Sequence, residues 1–485
     1  MSKVIVTESH LEDIADAIRE KLGVATTYRP GDMAAAIESI SGGGGSVISD
    51  VNFRDYDGTI VQSYSAAEFL ALTAMPANPS HEGLTAQGWN WTLSDAKTYV
   101  AEYGKLEIGQ MYITTDGKTH IYIHLEQGRT SPMLGCCPDG TVDVDWGDGT
   151  AHDTLTGTST STVIWTSNHN YTVPGDYVIK LAVTGRMEFF GGTIGSNGSG
   201  LLRYVSSDDN RNYAYRNAIR SVNVGNGVTS ISEYAFSYCW LLESITLHNN
   251  ITIIDQNAFL QCEVLTSVTI PDGTSSIERY AFSGCDNIMS VTIPKSVTGI
   301  DFQAFAGITD LVSITIPDGA SGLGGQAFKG CTHLVSVVIP NSVTFIGSQD
   351  FNNCRRLESI TIPNNATIIR DKAFTGCSRL ASIAISDSVT NIGMYVFSGC
   401  INLASITIPD SVTDIGDYAF EGCYSLAELH LAPTIPPTTY SNVLRNTPDD
   451  LIIYVPYSAD HSILEAYKTA SNWSAYASKM QEETA

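Results

Sequence analysis

The feature that most constrains this chain is a phenylalanine that recurs every 23 residues through the C-terminal half. The phenylalanines in this register are Phe236, Phe259, Phe282, Phe305, Phe328, Phe351, Phe374, Phe397 and Phe420. Three residues after each of them stands Cys239, Cys262, Cys285, Ile308, Cys331, Cys354, Cys377, Cys400 or Cys423, and six residues after each stands a leucine or isoleucine. A repeat of this length predicts a solenoid, in which each coil buries its apolar side chains against the neighbouring coils.

Each coil also contains a short alternating segment typical of a β-strand. It reads Ser-Ile-Thr-Ile-Pro at residues 313–317 and 405–409, so that isoleucines face the core and hydroxyls face outward, until the proline ends the strand. We expect these coils to fill residues 201–435. At about 4.8 Å per coil, they would form a rod of roughly 40 Å with a parallel sheet along one side.

The register Ala-Phe-x-x-Cys-x-x-Leu-x-Ser-Ile-x-Ile-Pro resembles the BspA-like class of leucine-rich repeats. This resemblance implies a family used for adhesion and for recognition of proteins or carbohydrates. The sequence departs from the register at Ile308 in the cysteine position, at Asp350 in the alanine position and at Ser386 in the position of the proline.

The repeated cysteines invite a metal site or disulfides, but their position favours core packing. Ile308 occupies the same position, which indicates an apolar slot, and free cysteine is among the most buried residue types. Cys136 and Cys137 are adjacent and lack the second pair that a zinc site requires. The sequence therefore predicts neither a metal nor another cofactor.

Residues 436–485 are predicted to cap the end of the repeats. Pro433, Pro436 and Pro437 prevent another regular coil. A last strand is predicted at 451–456, followed by one amphipathic helix over 463–480 that would cover the exposed core. At the other end, Arg216 stands where the register expects cysteine, which predicts a degenerate coil as the N-terminal cap.

Residues 1–41 are predicted to form a helical hairpin. Its apolar residues follow helical spacing at Leu11, Ile14, Ile18, Leu22, Met33 and Ile37, and a glycine linker at 42–46 separates it from the rest. So short a module usually needs a partner or copies of itself, so we interpret it as a docking or oligomerisation element, with a trimer as one option. The alternative is a frayed helix without a partner. The hairpin resembles N-terminal modules of virion-associated and prophage-encoded proteins of Gram-positive hosts.

Residues 47–104 are predicted to form a mixed segment, with helices around 65–72 and 93–103. This segment resembles one that recurs in phage minor structural proteins. From 105 to 185 the apolar residues alternate with period two between Asp-Gly turns, which predicts an antiparallel β-sandwich. Residues 144–150 and 170–179 resemble the polycystic-kidney-disease (PKD) type of domain, which implies a spacer or an adhesive module. A glycine-rich linker is predicted at 186–200, and the fold class is multidomain α+β.

Two sets of residues are candidates for binding. Asp143, Asp145 and Asp148 suggest calcium, because hard cations take clustered carboxylates, but a Gly-Asp-Gly turn explains Asp148 as well. The least regular positions of the coils could recognise a partner, although surface variation also explains them: Trp240, Arg355, Arg356, Arg379 and Tyr424.

Composition and motifs restrict the function. The 51 acidic and 26 basic residues leave a formal charge of −25, which disfavours nucleic acid and anionic lipid as partners. We find neither a membrane-spanning apolar run nor the apolar core of a signal peptide. The histidines form no zinc motif and no nucleophile elbow is present, so no enzymatic activity is predicted.

The predicted function is that of a phage virion protein, such as a tail or head fibre. Residues 1–41 would dock onto other virion proteins, and the repeats would bind a host surface protein or glycan. Such a protein would leave the cell by lysis without a secretion signal. One alternative is a bacterial cell-surface adhesin of the BspA-like type. Another is a purely structural decoration protein of the capsid or tail.

Overall fold

The computed structural model describes residues 51–484 except 55–59, 81–83, 90–92, 94–95, 98–99, 102–105, 115, 160–163, 167–168, 190–201, 204–215 and 441. The predicted docking hairpin at 1–41, with Leu11, Ile14, Ile18, Leu22, Met33 and Ile37, lies outside the described residues, as does the linker at 42–46.

A small mixed segment opens the described chain. It contains strands β1 (Val51–Arg54), β2 (Ile60–Tyr64), β3 (Leu84–Trp89) and β4 (Leu106–Thr114) in the order β2-β1-β4-β3, and helix α1 (Ala66–Ala71). A capping box starts the helix, because the Ser65 hydroxyl accepts from the Glu68 amide while the Glu68 carboxylate accepts from the Ser65 amide. The predicted helix at 65–72 is thereby confirmed. Phe53, Phe69 and Trp89 form the core of the segment.

The next strands form an antiparallel sheet. They are β5 (Thr119–Leu125), β6 (Met133–Asp145), β7 (Asp153–Thr158), β8 (Ile164–Trp165) and β9 (Gly175–Phe189). Strand β9 pairs with both β5 and β6, and β6 also pairs with β7, β8 and β10 (Leu202–Arg203). The predicted alternation is present in β5, where Ile121, Ile123 and Leu125 are buried. All these strands lie in one hydrogen-bonded sheet, so the structure does not show the two separate sheets of the predicted sandwich.

From residue 219 the chain forms a solenoid whose coils we name by their phenylalanines. One side is a row of parallel strands, hydrogen-bonded in separate groups: β11 (Ile219–Asn223), β13 (Ser244–Thr246), β15 (Ser267–Thr269), β17 (Ser290–Thr292), β19 (Ser313–Thr315), β20 (Ser336–Val338), β22 (Ser359–Thr361), β24 (Ser382–Ala384), β26 (Ser405–Ile408) and β28 (Glu428–Leu431). We call this side the serine face. The second side carries β12 (Val228–Ile231), β14 (Ile253–Ile254), β16 (Ser276–Ile277), β18 (Gly299–Ile300), β21 (Phe345–Ile346), β23 (Ile368–Ile369), β25 (Asn391–Ile392) and β27 (Asp414–Ile415). Neighbours pair one repeat apart, as Ser267 does with Ser290.

The core of the solenoid is a stack of phenylalanine rings. The nine rings of the register are completely buried, and successive rings lie nearly parallel with centroids 5.1–5.9 Å apart. The residue before each Ala-Phe pair adopts a left-handed backbone, as at Tyr280 and Lys372, so that the chain turns tightly enough to place the next ring in register. A leucine-rich-repeat solenoid with little helix is therefore confirmed for the C-terminal half.

The antiparallel sheet closes the N-terminal end of the solenoid. Strand β5 pairs with β11 of the serine face, and β9 pairs with β12 of the second side, while β5 and β9 pair with each other. The two sides of the first coil are thus joined by one strand pair that satisfies both exposed edges. A degenerate coil around Arg216 was expected to cap this end. Arg216 instead lies buried inside the first coil, where its guanidinium donates to the Ser237 carbonyl at 3.0 Å, and the antiparallel sheet covers that coil.

The C-terminal cap contains β29 (Ile452–Val455), helix α2 (Ser462–Thr469), the 3-10 helix η1 (Ser474–Lys479) and β30 (Met480–Glu482). Strands β29 and β30 extend the serine face beyond β28. The single helix predicted over 463–480 is wrong. It is interrupted because Asn472 adopts a left-handed backbone and Trp473 turns into the core, where its indole donates to the Pro437 carbonyl at 2.8 Å.

The mixed segment packs on the serine face near the middle of the solenoid. Met289, Val312 and Val335 precede three successive strands, and they join Phe53 and Trp89 in one apolar cluster. Several other coils carry glutamate or alanine in this position, as at Glu243, Glu358, Ala381 and Ala404. The docking site therefore follows an apolar stripe that only these coils provide.

Replacing Val312 by aspartate should release the mixed segment from the solenoid. Val312 is 5% exposed in the cluster, and a carboxylate there would be buried without a partner. We expect protease cleavage within residues 51–114 to become roughly tenfold faster, while the melting of the repeats changes little. The control is Val338→Asp, because Val338 is 61% exposed on the Phe328 coil. Equal cleavage rates in the two variants would contradict this docking.

Candidate interaction surfaces of the solenoid

The outward side chains of the serine face form a ladder of hydroxyls. The isoleucine or valine of each strand points into the core, so its neighbours on either side point outward. Thr292, Thr315, Thr361 and Thr407 are exposed in this way. Such a face offers hydrogen-bond donors and acceptors at a regular spacing.

A shallow groove interrupts this ladder where the Phe374 and Phe397 coils meet. Its volume is about 680 Å³, and it is lined by Ser382, Ala384, Ser405, Thr407, Asp387 and Asp410, among others. Ala384 pairs with Thr361 and stands where most coils carry threonine, so the missing side chain deepens the face. Ser386 replaces the proline, and its hydroxyl accepts from the Ser388 amide at 3.2 Å. We call this feature the Ala384 groove.

Ser386 is recognisable in the sequence as a departure from the repeat, but the groove beside it is not predicted from the repeat pattern. The signal was present in the sequence, because Ala381, Ala384 and Ala404 are small residues in outward positions of adjacent coils. Their effect depends on stacking the two coils side by side, which the pattern within one coil does not reveal.

The residues predicted to contact a partner all lie in the turns between the buried Cys and Leu positions. Tyr424 is 66% exposed, and Arg379 pairs with Glu358 at 3.8 Å. Arg355 and Arg379 lie on adjacent coils, where the Arg379 amide donates to the Arg355 carbonyl at 3.1 Å. Arg356 shares a coil with Arg355, whereas Trp240 lies several coils away and contacts Tyr238 edge to face. The structure therefore brings the arginines together and leaves Trp240 and Tyr424 apart; a binding role for these residues stays a prediction.

The predicted calcium carboxylates each contact protein groups. Asp143 bonds His152 at 2.9 Å, and Asp145 accepts from the Gly147 amide at 2.9 Å. Asp148 accepts from the Thr150 amide and hydroxyl and bonds His169 at 2.8 Å. Burial acts to raise the pKa of Asp148, but these hydrogen bonds outweigh it and the pKa is lowered. Across the ranges that the structure describes, no group of three or more His, Cys, Asp or Glu side chains could hold a metal ion.

The cysteines of the repeats are hydrogen-bond donors inside the core. The thiols of Cys262, Cys285, Cys331, Cys354, Cys377, Cys400 and Cys423 each donate to the carbonyl of the phenylalanine 26 residues earlier, at 3.1–3.3 Å. All ten cysteines are buried and unpaired. Burial raises the pKa of the Cys331 and Cys423 thiols to about 12. A thiol that stays protonated is a poor nucleophile, so these cysteines are unsuited to covalent catalysis.

The C-terminal strand is held by histidine–carboxylate pairs. His430 lies 2.7 Å from Glu483 and stacks on Tyr454, and His461 lies 2.6 Å from Glu482. Burial acts to lower the pKa of His430, but the bonds to Glu483 and Glu428 outweigh it and raise the pKa. These contacts attach the last strand to the cap.

None of the helices in the described part of the chain combines the length and apolar character that crossing a bilayer requires.

Solved structures of several bacterial proteins are similar to this chain. A leucine-rich repeat protein from Bacteroides ovatus is 25% identical over 55% of this chain and 69% of its own, with a TM-score of 0.45. A leucine rich cell surface protein from Faecalibacterium prausnitzii is 29% identical over 50% of this chain and 80% of its own, with a TM-score of 0.31. The leucine rich repeat protein of T. pallidum is 23% identical over 44% and 88%, with a TM-score of 0.28.

A search of curated proteins gave no match. The family model of the BspA type leucine rich repeat region matches residues 209–312 and 298–427 in six copies. The matched residues coincide with the coils that carry the phenylalanine stack and the thiol hydrogen bonds. Residues 209–427 are therefore leucine-rich repeats of the BspA type.

Proposed function

We propose that this protein is a cell-surface recognition protein of the adhesin kind, which binds a protein or glycan partner through the serine face and has no catalytic step of its own. The observation that carries the proposal is the Ala384 groove, an open and hydroxyl-lined depression between β24 and β26, which belong to separate hydrogen-bonded groups of parallel strands. Repeats of the BspA type imply adhesion and recognition, and the raised thiol pKa values remove the obvious nucleophiles of the repeats.

The chemistry of the groove suits a polar partner. Ser382, Ser405 and Thr407 supply hydroxyls, and Asp387 and Asp410 supply carboxylates that accept hydrogen bonds. All five of these residues are exposed. Main-chain hydrogen bonds and the buried phenylalanines hold the strands in place, so a partner would meet a surface that is already ordered.

The location is tested with an antibody against residues 200–485 applied to intact, non-permeabilised cells of the source bacterium. Labelling of intact cells is the expected result, with a cytosolic protein as the unlabelled control. Recovery in phage particles instead would replace the adhesin proposal by the virion interpretation. That interpretation rests on the phage resemblances of residues 1–41, which lie outside the described residues, and of residues 47–104. It stays a prediction together with trimer formation and docking onto virion proteins.

The binding surface is tested with the fluorescently labelled full chain on intact bacterial cells and cultured epithelial cells. Filling the groove by Ala384→Trp should lower binding about tenfold or more, since burying a mismatched indole at a contact typically costs over 1.4 kcal/mol. Ile253→Trp is the control, because Ile253 is 39% exposed on β14 of the second side, away from the serine face. Unchanged binding by both variants would place the binding surface elsewhere.

A further inference from the structure

A second groove, outside the Ala384 groove, lies at the junction between the antiparallel sheet and the first coils. It has a volume of about 630 Å³, within the range typical of small-ligand sites. Residues from β5, β9 and β11 line it together with Glu243, which directly precedes β13. The sequence separates these segments widely, and the pairing of β5 with β11 brings them together.

The strand register determines which side chains line this junction groove. Ile121, Ile123, Ile179 and Leu181 are buried on one face of the β5–β9 pair. Because side chains alternate, Tyr122 of β5 and Val178 and Lys180 of β9 lie on the opposite face, where the groove is.

An irregularity in β11 adds an arginine to the same groove. Ile219 pairs with Ile123 and Ser221 pairs with Tyr122, so Arg220 is the extra residue of a bulge. A bulge redirects a side chain from the ordinary alternation, and both Arg220 and Ser221 line the groove. The Arg220 carbonyl accepts from the Glu243 amide at 2.7 Å, which ties the bulge to the next coil.

Lys180 and Arg220 are the two cations of the groove. In the described part of the chain neither Lys180 nor Arg220 forms an ion pair, although acidic residues outnumber basic ones by 51 to 26. The nearby carboxylate of Asp176 is engaged by His124 at 2.7 Å. Both cations are partly buried, so a ligand anion between them would be only partly screened by water.

The remaining lining residues suit a sugar. Tyr122 supplies aromatic surface on the groove side of β5. Ser221 and Glu243 can hydrogen-bond to sugar hydroxyls. Arginine binds carboxylates with two parallel hydrogen bonds, and lysine adds a point charge. We propose that the junction groove binds a carboxylate-bearing saccharide, with Arg220 and Lys180 on the carboxylate and Tyr122 against the sugar ring.

The test is isothermal titration calorimetry, which measures the affinity of the full chain at low salt for three probes: trigalacturonate, sialyllactose and a hyaluronan tetrasaccharide. We expect at least one to bind, and to bind at least tenfold more weakly to Arg220→Gln and to Lys180→Gln. The Arg186→Gln variant is the matched control, since Arg186 lies on the same strand β9 but pairs with Asp139. The neutral methyl ester of the bound probe should bind at least tenfold more weakly to the wild-type protein.

The proposal is overturned if none of the three acidic probes binds, if the methyl ester binds as well as the acid, or if both glutamine variants bind like wild type. Thermal melting of each variant checks the fold, and we expect unchanged melting because neither cation is ion-paired. The Ala384→Trp variant should bind the acidic probe normally. Loss of probe binding in Ala384→Trp would place the probe in the Ala384 groove and overturn the proposal for the junction groove. Failure of the adhesin proposal in the cell-binding experiment leaves this titration unaffected.

Discussion

Replacement of Phe328 by alanine is expected to lower the free energy of unfolding of the solenoid by about 3–5 kcal/mol. The ring is completely buried and stacks between Phe305 and Phe351, each with centroids 5.7 Å away. Alanine removes contacts with both neighbouring coils and leaves a cavity that a rigid stack cannot close. Because coils are stabilised by their neighbours, the loss should appear as a shift of the whole cooperative transition. Urea denaturation followed by far-ultraviolet circular dichroism measures it.

The control for this experiment is Val338→Ala on the same coil. Val338 is 61% exposed, so its truncation should change the free energy of unfolding by at most about 0.5 kcal/mol. A Phe328→Ala variant that unfolds at the same urea concentration as Val338→Ala would show that the ring stack does not stabilise the solenoid.

Replacement of Asp350 by alanine is expected to change how stability depends on pH. Asp350 is completely buried in the alanine position of the Phe351 coil, where it accepts from the Gly347 amide at 2.6 Å and the Ala327 amide at 3.3 Å. Burial raises the pKa of its carboxyl to about 6, although these amides oppose the shift. The folded protein therefore keeps a proton that the unfolded chain loses near its ordinary pKa of about 3.9.

The direction of the effect follows from this proton uptake. The contribution of Asp350 to stability is greatest below about pH 4 and falls as the pH rises through about 6, by ~3 kcal/mol in total. Asp350→Ala lacks this dependence, so relative to wild type it should gain ~2 kcal/mol between pH 4 and pH 7, because at pH 4 the carboxyl is already about half protonated in the unfolded chain. The unsatisfied Gly347 amide costs about 1–3 kcal/mol at both pH values, so it lowers the stability of the variant without changing this pH difference.

Urea denaturation of both proteins at pH 4 and pH 7 measures this difference. The control is Asp318→Ala, because Asp318 is exposed and its removal should shift the stability equally at the two pH values. If Asp350→Ala and wild type respond identically to pH, the carboxyl of Asp350 does not take up a proton on folding.

The pattern of one coil was predictable because every coil repeats the same environment. The spacing of Phe, Cys and Leu identified the buried positions, and Ile308 indicated an apolar slot for the cysteines. The hydrogen bond from each thiol was not predictable in the same way. Its acceptor, as in Cys331 to Phe305, lies on the preceding coil, and the sequence carries no sign that the sulfur and that carbonyl face each other.

The candidate binding surfaces also combine features that are set within one coil with features that depend on neighbouring coils. The hydroxyl ladder follows from strand alternation within one coil, so Thr361 and Thr407 could be assigned to the outside. The Ala384 groove needs two coils side by side. The predicted set of Trp240, Arg355, Arg356, Arg379 and Tyr424 came from irregularity alone, and irregularity does not indicate whether residues on distant coils meet.

The sequence by itself therefore determined the structure of one coil: its length, its buried Phe, Cys and Leu positions and its outward hydroxyls. Only the tertiary structure decided how the solenoid ends and what lies against it. The pairing of β5 and β9 with the first coil, the packing of the mixed segment on Val312 and the meeting of Lys180 with Arg220 in one groove all join distant segments. Contacts between equivalent coils recur at every repeat, so they appear as a period in the sequence. Contacts that form only once in the structure produce no such period and cannot be recognised from it.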